Sequence, residues 1–272
     1  MRAGLELWAR DTGQALVVLD DESRAQVAVS AHAQLVGLGC NPVLGPYGSD
    51  TTRAVARARA GQVVWNHGAA ADDVQLLPGV VSVSTPASRY LVALARAAVG
   101  LGAARLAIVT ARGLFARLAR EGLEREAPSL GVELVDDPAS ADCVLLCGPV
   151  EWEAKRFADL ERRGVLFGGV SPGLPQAPQV WPEGTLAPVQ WHPDLGGPQG
   201  VEDYVGAQAY AAGLIAERCL QLEPTNPLSA ACTLSTDTFF GRFELDETGL
   251  QTGHRLSVVR WHRGRQTLLP AG

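Results

Sequence analysis

Short apolar runs alternate with longer segments of helical period along most of this chain, and this alternation constrains the fold more than any other feature. It is typical of a parallel β-sheet whose strands are connected by helices. The predicted strands are 15–19, 42–44, 63–65, 80–84, 106–110, 132–135, 143–147 and 165–167, and the predicted helices are 23–38, 88–100, 114–126, 151–163 and 201–220. The sequence therefore predicts an α/β protein.

The pattern changes after residue 167. The segment 168–178 is too rich in glycine and proline for regular structure and predicts a long exposed connection. After the helix at 201–220, the end of the chain predicts two strands, 239–245 and 256–262, joined by the turn-like sequence Asp246-Glu-Thr-Gly.

Length and charge limit the possible classes of protein. The 272 residues suffice for two modest α/β lobes, and 47% hydrophobic with 19% charged residues predicts a folded core. The net charge of −6 leaves no broad basic field, so nucleic acid and membrane surfaces are not expected partners. The N-terminus lacks the basic start and apolar run of an export signal. Taken as written, the chain is expected to be soluble and cytosolic.

Motifs for catalysis, cofactors and metals are almost absent. The five cysteines have no metal-ligand spacing, and among them only Cys219 and Cys232 are candidates for a disulfide. Ser171 lies in a GxSxG pattern, but Pro172 follows it where a nucleophile elbow needs a helix to begin. We therefore predict no enzyme, no cofactor and no metal, and an α/β hydrolase using Ser171 is the least favoured alternative.

Two loops after neighbouring strands are the best candidates for a binding site. Gly45-Pro-Tyr-Gly-Ser-Asp-Thr-Thr opens a helix, whose free N–H groups suit an anion such as a carboxylate. The alternative is that Ser49, Asp50 or Thr51 simply caps this helix. The second loop, Trp65-Asn-His-Gly-Ala-Ala, follows the next strand and is expected at the same sheet edge, where α/β proteins bind their ligands.

Several segments in order resemble the type I periplasmic solute-binding proteins, specifically the leucine/isoleucine/valine-binding group of ABC transporter receptors. They are Leu16-Val-Val-Leu-Asp-Asp-Glu-Ser, Val43-Leu-Gly-Pro-Tyr-Gly-Ser, Asp203-Tyr-Val-Gly-Ala-Gln-Ala-Tyr-Ala-Ala-Gly-Leu, and the end from Phe239-Phe-Gly-Arg-Phe to Val258-Val-Arg-Trp-His-Arg-Gly. The resemblance covers nearly the whole chain, and it depends on the order and spacing of these segments, since no single motif decides it.

The resemblance implies two Rossmann-like lobes with parallel sheets, joined by three crossing strands near 84–88, 187–191 and 239–243. Lobe 1 would hold residues 1–86 and 191–238, and lobe 2 residues 87–190 and 239–272. Such a protein closes around an amino acid or similar small polar molecule and delivers it to the membrane permease of an ABC transporter. This implies a periplasmic or extracytoplasmic location; an intracellular sensor of the same fold is the alternative for a chain without an export signal.

The resemblance also implies which residues meet the ligand. In lobe 1 these are Ser49 together with Asn66, His67, Gly68 and Ala69, and in lobe 2 Phe115 covers the ligand. Aromatic residues that could line the cleft, or belong to the core instead, are Tyr47, Trp65, Tyr90 and Trp152. The family often places an acid for the ligand ammonium in the region corresponding to Gly168 to Gly173, which contains none here.

A second departure concerns the start of the fold. The family begins with a strand and a glycine-rich loop, whereas Met1 to Arg10 already resembles the first helix that follows them. We therefore expect lobe 1 to lack its first strand, either because the chain is truncated or because the protein does without it.

Overall fold

The computed structural model describes residues 1–161, 164–175 and 181–270. The chain forms two compact units, and each is built from two stretches of sequence. Unit 1 consists of Met1–Pro86 and Pro193–Arg255, and unit 2 of Ala87–His192 and Leu256–Gly272. The predicted α/β class is confirmed, since helices alternate with mainly parallel strands.

The regular elements are numbered in chain order. The helices are α1 (Arg2–Thr12), α2 (Ala25–Gly37), α3 (Ser49–Ala58), α4 (Asp72–Gln75), α5 (Tyr90–Gly100), α6 (Leu114–Leu130), α7 (Val150–Glu161), α8 (Tyr204–Leu222) and α9 (Pro227–Thr233). The strands are β1 (Val64–Asn66), β2 (Val80–Ser82), β3 (Arg105–Thr110), β4 (Glu133–Leu134), β5 (Cys143–Cys147), β6 (Leu166–Gly169), β7 (Leu186–Val189), β8 (Thr236–Thr238), β9 (Gly241–Phe243), β10 (Ser257–His262) and β11 (Arg265–Leu268).

Unit 1 is organised around a short parallel sheet. β1 pairs with β2, and Leu44 forms a parallel bridge to Trp65 on the other side of β1. Helices α2 and α3 cover this sheet through a buried cluster of Ala28, Val55, Val64 and Val80. A second cluster, formed by Trp8, Ala9 and Tyr210 of α1 and α8, carries Leu16 and Leu44 packed against it. Burial of these apolar surfaces stabilises the unit.

The strand predicted at 15–19 does not form. Within the described residues this segment pairs with no strand, and Val17 and Val18 are 46% and 42% exposed. Its β-branched residues favour a strand, but a strand needs a neighbouring chain for its N–H and C=O groups. The strand predicted at 42–44 is likewise reduced to the single bridge at Leu44.

Unit 2 contains a seven-stranded sheet in the order β11-β10-β7-β6-β5-β3-β4. The pairs from β4 to β7 are parallel, whereas β10 and β11 are antiparallel additions at one edge. All five residues of β5 are buried, as expected for a central parallel strand with helices on both faces. Phe157, Phe167, Trp181 and Trp261 belong to its aromatic core.

The chain passes between the units at 86–87, 192–193 and 255–256. The third passage differs from the sequence analysis, which placed residues 239–255 in lobe 2. Here they belong to unit 1 because the Gln251 amide donates to the Val83 carbonyl and the Thr85 hydroxyl hydrogen-bonds to the ring and the carbonyl of His254. Of the predicted strand 239–245, only β9 forms, and it pairs with β8 in a short antiparallel hairpin.

Other differences lie at element ends. Helix α6 continues to Leu130, and α7 ends at Glu161, so that residues 162–163 of the predicted helix 151–163 lie outside the described residues. Residues 176–178 of the predicted connection also lie outside them. The sequence analysis missed α4, α9, β8 and β11, which are short or partly exposed.

Helices α1 and α8 approach each other closely through glycine. A Cβ atom placed on Gly4 would lie 2.1 Å from the carbonyl oxygen of Gly206, and one on Gly213 would lie 2.5 Å from the Trp8 ring. The first contact is to backbone, which cannot rotate away. The packing of α1 in unit 1 therefore requires glycine at position 4.

We expect Gly4→Ala to lower the free energy of unfolding by about 1–3 kcal/mol, because the added methyl group overpacks this helix pair. Gly37→Ala is the matched control, since no atom lies within 4 Å of its added Cβ, and we expect a gain of about 0.4–1 kcal/mol there. Urea unfolding monitored by circular dichroism checks both. Equal stability of the two variants would contradict the close approach of α1 and α8.

Candidate functional site

The two predicted loops of unit 1 lie side by side at the carboxyl end of its sheet. The Gly45 N–H donates to the Trp65 carbonyl oxygen at 2.8 Å, so residues 45–48 emerge next to the loop that follows β1. The Tyr47 ring lies against Gly68, where a Cβ would be 2.2 Å from its Cδ2 atom. The centroids of the Tyr47 and His67 rings are 6.2 Å apart. The structure thus brings Tyr47, His67 and Gly68 together.

Asn66 shapes this loop from within. Its Oδ1 atom accepts hydrogen bonds from the N–H groups of Gly68 (3.1 Å) and Ala69 (2.7 Å). Its Nδ2 atom donates to the Ala69 carbonyl (2.9 Å) and to the Ser82 hydroxyl (2.6 Å). The side chain is fully buried, and its four hydrogen bonds, three to the loop and one to Ser82 of β2, use the full capacity of these two atoms. Asn66 therefore acts as a positioning residue, and it engages the N–H groups of Gly68 and Ala69, two residues that the resemblance assigns to the ligand.

His67 is fully buried, and neither of its ring nitrogens has a hydrogen-bond partner. Burial lowers its pKa to about 4, so the imidazole is neutral at pH 7 and presents one donor and one acceptor. Its Nε2 atom lies beside Gly45. A Cβ atom placed on Gly45 would be 3.1 Å from His67 Nε2 and 3.8 Å from the Tyr47 backbone nitrogen. Buried polar groups usually have partners, so this ring is a strong candidate for contacting a ligand.

Two more buried polar atoms without a partner lie near the same sheet edge. They are Gln75 Oε1 and Ser84 Oγ. The Gln75 amide donates to the carbonyl oxygens of Ala69 and Ser84, at 3.4 and 3.1 Å, which links the two groups to the loop after β1. Sequence reasoning missed both residues, because neither belongs to a motif.

Ser49 is the first residue of α3, and its hydroxyl accepts a hydrogen bond from the Ala71 N–H at 3.3 Å. The position before the helix is Gly48, and no side chain caps it. Thr51 donates to the Tyr47 carbonyl instead, and Asp50 pairs with Arg53. The alternative that one of these three side chains caps α3 is therefore wrong, and the first N–H groups of the helix have no side-chain acceptor of that kind.

In unit 2, Phe115 and Tyr90 form an edge-to-face pair with centroids 5.1 Å apart. Phe115 is half-buried at the start of α6, whereas Tyr90 is buried and its hydroxyl accepts a hydrogen bond from the Gln190 amide at 2.6 Å. Of the other aromatic candidates, Trp65 is a core residue of β1, 2% exposed. Trp152 is half-buried and stacks under the Arg156 guanidinium, 3.6 Å from the ring centroid.

Ser171 does not form a nucleophile elbow. It begins a single 3-10 turn, Ser171–Gly173, and its hydroxyl donates to the Gly148 carbonyl at 3.0 Å. The Ser171 N–H donates to Glu153, a fully buried acid that also accepts from the Gly148 N–H. Sequence reasoning missed Glu153, because locally it does not differ from its exposed neighbour Glu151.

Cysteine and metal chemistry find no support in the described part of the chain. All five cysteines are free, including Cys219 and Cys232. Over residues 1–161, 164–175 and 181–270, no group of three histidine, cysteine, aspartate or glutamate side chains could hold a metal ion. In the same residues, no helix has both the length and the apolar character needed to cross a bilayer.

Comparisons with known proteins bear on the fold. The sequence matches no protein-family model and no curated protein. An ABC transporter substrate-binding protein from Desulfitobacterium hafniense, solved in complex with Leu, superimposes with a TM-score of 0.80 at 16% identity, over 98% of this chain and 95% of that one. The fold is that of the ABC transporter substrate-binding proteins.

Two further solved structures share this substrate-binding-protein fold. A leucine binding protein from Thermotoga maritima has a TM-score of 0.77 at 15% identity, covering 98% of this chain and 92% of its own. A solute binding protein from R. palustris, in complex with benzoate, has a TM-score of 0.73 at 17% identity, with 98% and 89% covered. The type I periplasmic-binding-protein fold implied by the resemblance is thereby confirmed.

We expect Asn66→Ala to lower the free energy of unfolding by about 2–4 kcal/mol, because it leaves buried N–H and C=O groups of the loop without partners. Asn226→Ala, which removes only the N-cap of α9, should cost about 1 kcal/mol. Chemical denaturation measures both. A loss at position 66 no larger than that at position 226 would mean that Asn66 does not hold the loop.

His67 should make the protein sensitive to acid. Its folded pKa of about 4 lies below the ordinary 6.5, so the unfolded chain binds a proton that the folded chain does not. The free energy of unfolding should therefore fall as pH decreases from about 6.5 to 4, by up to about 3 kcal/mol. His67→Gln, which cannot titrate, should flatten this slope in denaturation curves recorded between pH 7 and 4; an unchanged slope would place the acid sensitivity elsewhere.

Proposed function

We propose that this protein is the substrate-binding component of an ABC-type importer, that it binds a small molecule bearing a carboxylate, and that it catalyses no reaction. The observation that carries the proposal is the fully buried His67, whose ring nitrogens have no protein partner in a loop at the carboxyl end of the unit 1 sheet. The fold shared with substrate-binding proteins supports it.

In unit 1, the ligand carboxylate is assigned to the first N–H groups of α3 and the Ser49 hydroxyl. Helix N-termini favour anions, and no side-chain acceptor caps this one. The neutral His67 then hydrogen-bonds a polar group of the ligand, while Tyr47 covers Gly68 beside it. In unit 2, Phe115 contributes aromatic surface, held by its contact with Tyr90.

The ligand class divides into amino acids and aromatic acids. Proteins of this fold bind Leu in one case and benzoate in another. An α-amino acid carries an ammonium group that needs an acceptor, and residues 168–173 contain no acid. The carboxylate that contacts this turn belongs to Glu153. It is buried, and its oxygens already accept hydrogen bonds from backbone N–H groups. An acid without an ammonium group, such as an aromatic carboxylate, is therefore a second candidate ligand besides an amino acid.

The function proposed for the bound state is a population shift. Ligand binding favours the closed form, and the permease of the transporter responds to closure. A protein with this function works in the periplasm or outside the cytoplasmic membrane, and we propose that location for it. The non-catalytic assignment is supported by Ser171, which begins a single 3-10 turn where a nucleophile elbow needs a helix, and whose hydroxyl donates to the Gly148 carbonyl oxygen.

A ligand screen tests the proposal. Thermal-shift measurements with L-leucine, other amino acids, benzoate and other small carboxylates should give a saturable rise in Tm with at least one acid, followed by calorimetry. Phe115→Ala and Ser49→Ala should weaken its binding by about 10-fold or more, since each loss amounts to at least about 1.4 kcal/mol. Ser30→Ala, on an exposed face of α2, should leave the affinity unchanged. If no acid in either class binds, the proposal is wrong.

A further inference from the structure

The Glu153 carboxylate connects two turns at the carboxyl end of the unit 2 sheet. Its Oε1 atom accepts a hydrogen bond from the Gly148 N–H at 2.8 Å, and its Oε2 atom accepts one from the Ser171 N–H at 2.9 Å. The Ser171 hydroxyl donates to the Gly148 carbonyl at 3.0 Å and completes the connection. We call these three residues, Gly148, Glu153 and Ser171, the Glu153 clasp.

The position of the Glu153 clasp in the sheet relates it to ligand binding. Gly148 directly follows β5, and Ser171 lies two residues after β6, the parallel neighbour of β5. In open α/β sheets, ligands bind beyond the carboxyl ends of such strands. The two turns that the clasp joins are therefore the turns of unit 2 expected to meet a ligand.

Close packing fixes the carboxylate in this place. A Cβ atom on Gly169 would lie 2.4 Å from Glu153 Oε2 and 2.7 Å from Phe157 Cζ, and one on Gly148 would lie 2.6 Å from the Trp152 ring. Glycine at position 169 thus leaves room for the acid, and glycine at position 148 leaves room for the Trp152 ring. The side chain is fully buried, so it cannot relax toward water when its charge changes.

No cation neutralises Glu153 among the described groups that pack against it. The facing titratable side chain on β5 is Cys147, and burial together with the Glu153 charge raises the pKa of that thiol. On α7, the Arg156 guanidinium lies over Trp152, and Glu151 is exposed. The turn that contains Ser171 contributes N–H groups and no charge. Burial consequently raises the pKa of Glu153 to about 8, while hydrogen bonds from the N–H groups of Gly148, Ser171 and Val170 and from the Ser171 hydroxyl oppose the rise.

We propose that Glu153 is a proton-linked positioning residue, whose ionised form holds the two turns of unit 2 in the arrangement that binds ligand. An ionised carboxylate accepts two N–H hydrogen bonds strongly, whereas the protonated oxygen of a neutral acid is a weaker acceptor. Protonation therefore loosens one of the two turns. This inference rests on the proposed function for its ligand, but its central interaction can be measured without one.

The ligand-free test follows the amide resonances of Gly148 and Ser171 by NMR between pH 6 and 9.5. In the unaltered protein and in Glu151→Gln, the matched control on the same turn of α7, both amides should titrate together with one midpoint. In Glu153→Gln neither should titrate. Ser171→Ala keeps its N–H group but removes a hydroxyl whose hydrogen bond lowers the pKa of Glu153, so its two amides should still titrate together, with a midpoint at higher pH than in the unaltered protein. This second variant tests the clasp if Glu153→Gln does not fold, and an unshifted midpoint would count against it. Amide shifts that stay constant, or that titrate with separate midpoints, would overturn the proposal.

The ligand test uses benzoate, whose charge is constant over this range, and L-leucine. Calorimetry at pH 6.5 and 9 should show at least 3-fold tighter binding at pH 9 for the unaltered protein and for Glu151→Gln, and no such change for Glu153→Gln. Tighter binding at pH 6.5 would mean that charge repulsion, and not positioning, links Glu153 to the ligand, and would overturn the proposal. If neither probe binds at either pH while the two amides titrate together, the proposed ligand class fails and the clasp stands.

Discussion

The four hydrogen bonds of the Asn66 side chain are the constraint on which the unit 1 site depends. They hold the loop after β1 in one conformation. In that conformation the His67 ring is buried and the Tyr47 ring packs directly against Gly68. Burying the Asn66 amide is favourable while all four hydrogen bonds are made. Removing one partner leaves a buried polar group unpaired, which costs the full free energy of desolvating that group. These hydrogen bonds therefore fix the conformation of the loop, because its buried polar groups have no other partners to turn to.

The two units use opposite electrostatics at their strand ends. Unit 1 presents neutral polar groups, Asn66, His67, Gln75 and Ser84, and burial keeps the imidazole uncharged. Unit 2 buries a carboxylic acid, Glu153, whose two oxygens accept hydrogen bonds from the backbone N–H groups of Gly148 and Ser171. Both arrangements cost stability, since partnerless atoms and an uncompensated acid are unfavourable in a core. Such costs concentrate at functional sites, which is consistent with a role for both strand ends.

Local patterns predicted the parts of the fold that local interactions determine. β5 and the start of α6 follow directly from an apolar run and from helical spacing. Segment 15–19 failed because its β-branched residues express a preference that only a neighbouring strand can satisfy. The candidate loops at 45–48 and 66–69 were placed correctly, since parallel strands bring their carboxyl ends to one edge. Glu153 could not be distinguished from Glu151, because only tertiary packing decides which of the two is buried.

Because each unit is built from two separate stretches of sequence, neither unit is complete until its second stretch has been synthesised. Residues 1–86 are synthesised before the rest of unit 1. Helix α8, which packs against Gly4 and Trp8, follows them by more than a hundred residues. The five parallel strands of unit 2, β3 to β7, are complete before α8 has been made. The parallel part of unit 2 can therefore collapse during translation, before β10 and β11 are added to its edge, while the apolar face of α1 that α8 covers is still exposed.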